Sequence, residues 1–255
     1  MPTRQKYFCE PLYEERYRRV FRTRPAQPVF ELFIPREFRT SELLDTVRAP
    51  IWQLEHDVIW PLMARLIKDG EVRGDLVEFG VYGGGSFRRH IELFRPTGMI
   101  TRFYGFDSFQ GLPKGNPTRD VPYFMQEGAF ADSSVERVEG CLRQKFNDLS
   151  DVELVAGWFA DTLPMMNDKI SKIAFVRVDC DMYHSSVEVF NFLTGRLQHG
   201  AIIYFDDWTH EATTGETGAF FEFAERQEQR YRFERLLTVS DGALAVRVFE
   251  KQREL

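Results

Sequence analysis

The chain has 255 residues, 43% of them hydrophobic and 15% aromatic, with 24 Phe, which is enough apolar material for one large domain or a domain with extensions. Its 33 basic and 39 acidic residues leave a net charge of −6, which argues against nucleic acid as the main partner. Three widely separated cysteines, Cys9, Cys141 and Cys180, with no Cys-x-x-Cys, argue against a disulfide framework and fit a reducing cytoplasm; no signal-peptide core and no run of 18 apolar residues is present.

No internal repeat or low-complexity tract interrupts the chain. The segment from Arg4 to Arg39 carries more Arg than acid, as a solvated helix face does, and is punctuated by Pro25, Pro28 and Pro35. Next, APIWQLEHDVIWPLMARLIKDG predicts a helix with Ile51, Leu54, Val58, Leu62 and Leu66 on one face, ended by Gly70. From Asp75 onward, strand-like runs (DLVEFG, TRFYGFD, VELVAG, IAFVRVD and AIIYFDD) alternate with helical segments such as Ser133–Asn147 and Ser185–Gln198. Finally, YRFERLLTVS and GALAVRVFE flank Asp241-Gly242, a hairpin signal. This alternation predicts an α/β fold with a doubly wound, mostly parallel sheet, whose ligands bind outside the carboxyl ends of the strands.

DLVEFGVYGGGSFRRHI reads as strand, glycine-rich turn and helix, with Gly80, Gly83, Gly84 and Gly85 in the turn and Glu78 just before it. Glycines let the backbone approach a ligand, and a helix N-terminus offers free N–H groups. The turn lacks the Lys of a phosphate-binding loop, carries Tyr82 where a dinucleotide fingerprint needs Gly, and reads GGSFR where a nucleophile elbow needs a second Gly. An acid placed before the turn suits a cationic ligand group. Asp107 ends the second strand, where an acid accepts hydrogen bonds from ribose hydroxyls; the plainer alternative is that it caps a turn.

Two further strand ends carry paired acids, Asp179 and Asp181 in FVRVDCDMYHS, and Asp206 and Asp207 in AIIYFDDWTH. Each unpaired buried carboxylate costs several kcal/mol, and several together repel, so a positive partner is required. His184 opens a helix, whereas His210 sits in a loop and is a candidate base. His56, His90 and His199 fit no metal-ligand spacing and read as surface or structural residues. Cys180, between two of the acids, reads as a small side chain on a buried strand.

VEFGVYGGGS, YGFDSFQGLP, GWFADTLP, VRVDCDMYHSS and IIYFDDW, in that order over Asp75 to Trp208, closely resemble the TylF/MycF-type S-adenosylmethionine-dependent O-methyltransferases, which methylate sugar hydroxyls of natural products. The resemblance implies a class I methyltransferase (Rossmann-like) fold with a seven-stranded sheet. It divides the chain into an N-terminal helical cap and oligomerisation segment (1–70) and an S-adenosylmethionine-binding domain (71–255). It implies that Glu78, Gly80, Tyr82 and Ser86 hold the methionine part of the cofactor, and Asp107 and Ser108 the ribose. Gly157, Trp158 and Phe159 border the adenine, with Asp161 nearby and Asp179 on the cofactor side. Mg²⁺ then falls to Asp181, Asp206 and Asp207, with Asp181 as base and His210 as backup. Mg²⁺ favours hard oxygen ligands, which this acid set supplies.

The expected function is Mg²⁺-dependent O-methylation of a sugar hydroxyl in a glycosylated metabolite by a cytoplasmic homo-oligomer. The alternatives are a catechol-like acceptor, a non-catalytic cofactor-binding or assembly protein, and NAD-dependent oxidoreduction, which Tyr82 disfavours. The polar segment THEATTGETGAFFEFAER is expected to form part of the acceptor pocket, and TVRAPIWQL faintly resembles the family's cofactor lid.

Overall fold

The computed structural model describes residues 11–22, 52–120, 126–209, 211–238 and 242–251. Helix α1 spans Pro11–Phe21. A π-helical turn, Glu55–Ile59, runs directly into α2, Trp60–Asp69. There follow β1 (Gly74–Phe79), α3 (Gly85–Phe94), β2 (Ile100–Asp107), α4 (Val135–Arg143), β3 (Val152–Ala156) and α5 (Phe159–Met165). The remainder is β4 (Ile173–Val178), α6 (Tyr183–Leu193), β5 (Leu197–Phe205), α7 (Gly215–Arg226), β6 (Tyr231–Thr238) and β7 (Leu244–Glu250).

The seven strands form one sheet in the order β3-β2-β1-β4-β5-β7-β6. The first five are mutually parallel, and β7 runs antiparallel to both β5 and β6. The predicted α/β class and terminal hairpin are therefore both observed, while Asp241 of the hairpin turn lies outside the described residues. Strands β1 and β4 are buried along their whole length, as the near-continuous apolar runs of central parallel strands require. β5 starts four residues before the expected Ala201, and α6 ends at Leu193, where the positive φ of Gly195 (81°) turns the chain.

Two apolar layers cover the sheet. One contains Val77, Val176, Phe190, Phe205 and Phe220 together with Tyr13, Tyr17 and Phe21 of α1. The other contains Trp60, Met63, Ile67, Phe87, Phe94 and Phe175. The helix around residue 60 buries a different face from the one predicted. Leu54, Val58 and Leu62 are exposed, while Ile59, Trp60, Met63, Ala64 and Ile67 face the sheet; Ile51 lies outside the described residues. The segment has two apolar stripes. Trp60 has the largest area to remove from water, and the wider π-turn resets the register ahead of it. Among the described residues no helix is long and apolar enough to cross a membrane.

Candidate active site

Glu78, Arg177 and Tyr204 stand in register on the adjacent strands β1, β4 and β5, one residue before each strand's carboxyl end. Glu78 is completely buried. Its carboxylate accepts from Ser86 Oγ at 2.5 Å, pairs with His90 Nδ1 at 2.6 Å and lies 3.4 Å from Arg177 Nη1. Burial alone would raise its pKa; His90, Arg177 and Ser86 outweigh that and hold Glu78 below the usual carboxylate range. Glu78 and Ser86 are thus tied to each other beneath the glycine turn.

Arg177 is the positive partner the clustered acids require. One guanidinium nitrogen, Nη1, bonds Asp179, and the other, Nη2, pairs with Asp206 at 2.7 Å. Burial opposes its charge, but Asp179, Asp206, Glu78 and Glu55 keep its pKa above the ordinary arginine value. One guanidinium fork therefore serves acids from three strand ends, which a compact ammonium could not do.

One cation does not balance the cluster. Oxygens of Asp179, Asp206 and Asp207 lie within 4.8 Å of one another, a spacing able to hold a metal ion. The pKa values of Asp179, Asp181, Asp207 and Glu216 are all raised well above normal, by burial first and then by one another. Asp207 Oδ2 is buried with no hydrogen-bond partner among the described residues. Asp181 and Asp207 are within hydrogen-bonding reach, which two carboxyls tolerate only with a proton or a cation between them. An orphaned buried oxygen in an under-neutralised, all-oxygen set fits a hard divalent cation. The three converging acids include Asp179, where the family resemblance implied Asp181. Asp181 sits beside them in a three-residue turn, with φ +58° and the Met182 N–H donating to Cys180 O at 2.5 Å. Such a left-handed conformation at a non-glycine residue is strained and persists only where its surroundings enforce it.

The glycine turn lies against this cluster. Gly80 has φ +89°, and a side chain there would meet the Asp179 carbonyl oxygen at 1.7 Å, so only glycine lets the two strand ends approach. Gly84 caps α3 without a side-chain hydrogen bond. Tyr82 (φ +43°) donates its N–H to Asp107 Oδ2 at 2.8 Å and its hydroxyl to Asp132 at 2.9 Å. Asp107 Oδ1 accepts the Phe109 N–H at 2.7 Å. Asp107 thus organises its turn, and each oxygen keeps a lone pair for a ligand hydroxyl. Ser108 Oγ likewise closes a local turn through Gln110 N and Gly111 O. Gly157 (φ +132°) donates to Asp107 O at 2.9 Å, which brings the half-buried Trp158 and Phe159 to the end of β2. His184 is exposed on α6; Cys180 is buried, its thiol pushed up by burial and Glu216. His210 lies outside the described residues, as do residues 46–51 of the faint lid motif.

Three contributors were not singled out by the sequence reading: Arg177, Glu55 and Glu216. Glu55 reaches the site from the π-helical turn and accepts from Tyr204 Oη at 2.5 Å. Arg89 steadies that turn by bonding the His56 carbonyl at 3.0 Å. Burial, then Asp206, raises Glu55 from 4.5 to about 7. Because the folded-state pKa is raised, its contribution is fully present below the unfolded value and is lost as pH rises through about 7. Glu55→Gln should therefore flatten the loss of stability between pH 4.5 and 7 by roughly 3 kcal/mol, from the conversion of about 1.4 kcal/mol per pKa unit. Urea melts across that range in EDTA check this, and an unchanged slope rules it out.

The chain resembles known proteins in sequence and fold. It is 32% identical over 154 residues to 8-demethyl-8-(2,3-dimethoxy-alpha-L-rhamnosyl)-tetracenomycin-C 4'-O-methyltransferase of Streptomyces olivaceus, covering 58% of this chain and 57% of that protein. It is 30% identical over 151 residues to mycinamicin III 3''-O-methyltransferase of Micromonospora griseorubida, covering 56% and 58%. The chain thus spans little more than half the length of these relatives. In fold it matches the O-methyltransferase NovP with a TM-score of 0.62 at 23% identity, over 76% of this chain and 78% of that one. It also matches the calicheamicin methyltransferase CalS11 with a TM-score of 0.54 at 23% identity, over 92% and 91%. The family model for macrocin-O-methyltransferase (TylF) matches residues 59–231, well over half of the sequence, and the chain belongs to that family.

Proposed function

We propose that the protein is an S-adenosylmethionine- and Mg²⁺-dependent O-methyltransferase that methylates a sugar hydroxyl of a glycosylated natural product. The observation that carries this reading is the convergence of Asp179, Asp206 and Asp207 beside the glycine turn of β1. The rhamnosyl acceptor in the name of the Streptomyces olivaceus relative supports the sugar. S-adenosylmethionine, when bound, supplies an electrophilic methyl group. A divalent ion held by Asp179, Asp206 and Asp207, when bound, offsets their repulsion and lowers the pKa of a nearby acceptor hydroxyl. The glycine turn and Asp107 hold the methionine and ribose ends of the cofactor, and Trp158 and Phe159 flank its base. Asp181, beside the three converging acids, accepts the acceptor's proton. Arg177 fixes Asp179 and Asp206 so that donor and acceptor meet in line, an alignment worth several kcal/mol of barrier.

Calorimetric titration with S-adenosylhomocysteine should show micromolar binding both in EDTA and with Mg²⁺. A panel of glycosylated acceptors should then be methylated only with Mg²⁺ present, in preference to catechols. Asp181→Ala should remove transfer and leave S-adenosylhomocysteine affinity within about twofold. Absence of cofactor binding in both buffers would sink the reading, and preferred methylation of catechols would replace the sugar acceptor.

A further inference from the structure

The first turn of α7 is built unlike an ordinary helix start. Its residues Gly215, Glu216, Thr217 and Gly218 are all buried, and Glu216 and Thr217 are completely so. A charged residue at this position ordinarily faces water, because burying a carboxylate costs several kcal/mol. Here both turn inward. Glu216 Oε1 accepts the Cys180 N–H at 2.9 Å, and Glu216 Oε2 lies 3.4 Å from the Asp207 N–H. Cys180 stands between Asp179 and Asp181 after β4; Asp207 follows Asp206 after β5. One carboxylate therefore bridges the backbones of the two acid-bearing loops. Thr217 Oγ1 fixes Thr209, two residues beyond Asp207, accepting its N–H at 2.8 Å and donating to its carbonyl oxygen at 3.1 Å.

The glycines make this approach possible. A side chain at Gly218 would meet the Thr213 carbonyl carbon at 2.4 Å, so Gly218 lets the preceding loop fold back onto the helix and turn Glu216 inward. Gly215 takes φ +52° and donates to Arg119 O at 2.8 Å, anchoring the helix start to a third loop. The segment THEATTGETGAFFEFAER is expected from the sequence to form part of the acceptor pocket; within it, the Glu216 side chain faces the backbones of the acid-bearing loops.

We propose that Glu216 is a positioning residue of the divalent-cation site, setting the distance between the Asp179–Asp181 loop and the Asp206–Asp207 loop. It stands outside the group of three converging carboxylates, and its oxygens are directed at backbone amides. A group that orients ligands in this way commonly changes metal affinity 10- to 100-fold when lost. The location on the first turn of a helix also favours its negative charge. This inference rests on the cation reading above, and its test separates the two.

Mn²⁺ alone, followed by electron paramagnetic resonance and calorimetry on the full chain without acceptor, is the probe. Glu216→Ala should weaken Mn²⁺ binding about tenfold or more. Glu216→Gln, which retains one carbonyl acceptor, should fall between it and the wild type. S-adenosylhomocysteine affinity should stay within about twofold in both variants, and the Mg²⁺ concentration for half-maximal transfer should rise more than the saturated rate falls. Amide hydrogen exchange at Cys180 and Asp207 should accelerate. Mn²⁺ binding by the wild type with unchanged affinity in both variants would overturn the positioning role. Absence of Mn²⁺ binding by the wild type would overturn the cation reading and this role with it. Loss of the cofactor affinity in Glu216→Gln would assign Glu216 to the fold at large and reject the specific role.

Discussion

Asp207→Asn should lose methyl transfer by about a hundredfold or more and yet unfold at a higher temperature than the wild type in EDTA. The first effect follows from removing a direct ligand, since weakening groups that merely orient ligands already costs 10- to 100-fold. The second follows from the electrostatics of the empty cluster. Asp207 is raised by burial and by Asp181 and Asp206, and its Oδ2 has no partner among the described residues. An amide of the same shape removes one repelling charge and offers N–H groups to Asp181. A gain of about 1 kcal/mol, worth roughly 2–4 °C for a domain of this size, is the expected scale. Added Mg²⁺ should then stabilise the wild type and leave the variant unchanged, by mass action on the native state. A lower melting temperature for Asp207→Asn in EDTA would mean that the acids are not in conflict.

Arg177→Met should have the opposite signature. It leaves Asp179 and Asp206 without their ion-pair partner and removes a charge that also faces Glu78. Removing one partner of a buried ion pair costs about 3–5 kcal/mol, so the melting temperature should drop by about 6–20 °C. Arg177→Lys should recover part of this loss, because it keeps the charge but cannot reach several acids at once. Divalent cations should narrow the gap between Arg177→Met and the wild type. A variant as stable as the wild type in EDTA would show that the acids are held by other contacts.

The strand order of chemistry was legible because central parallel strands are written as apolar runs ending in polar residues, and five such runs stand in sequence. What was not legible depends on contacts across long separations. Arg177 sits inside one of those runs and reads there as an exception to be ignored; only the adjacent strands show it facing Glu78. Glu216 lies in a segment with no apolar period, so nothing local predicts that it turns inward. The resemblance grouped Asp181 with Asp206 and Asp207, whereas the oxygens that converge with them are those of Asp179, and the reason lies in the backbone. Alternation places them on one face if the strand continues, but β4 ends at Val178 and the turn at Asp181 breaks the period. The face of α2 was misjudged because two apolar stripes compete there, and the aromatic one took the sheet.

The docking of α1 has a consequence for the order of folding during synthesis. Tyr13 accepts a hydrogen bond from Trp208 Nε1 at 3.0 Å, and Arg16 grips Glu225 through two bonds of 2.9 and 3.0 Å. These partners are separated by 195 and 209 residues. At about 5–20 residues per second, the ribosome needs about 10–40 s to deliver them after α1 has emerged. Throughout that interval the bonds to Trp208 and Glu225 cannot form. These long-range contacts of the helix, and the packing they complete, therefore wait on the translation of α7.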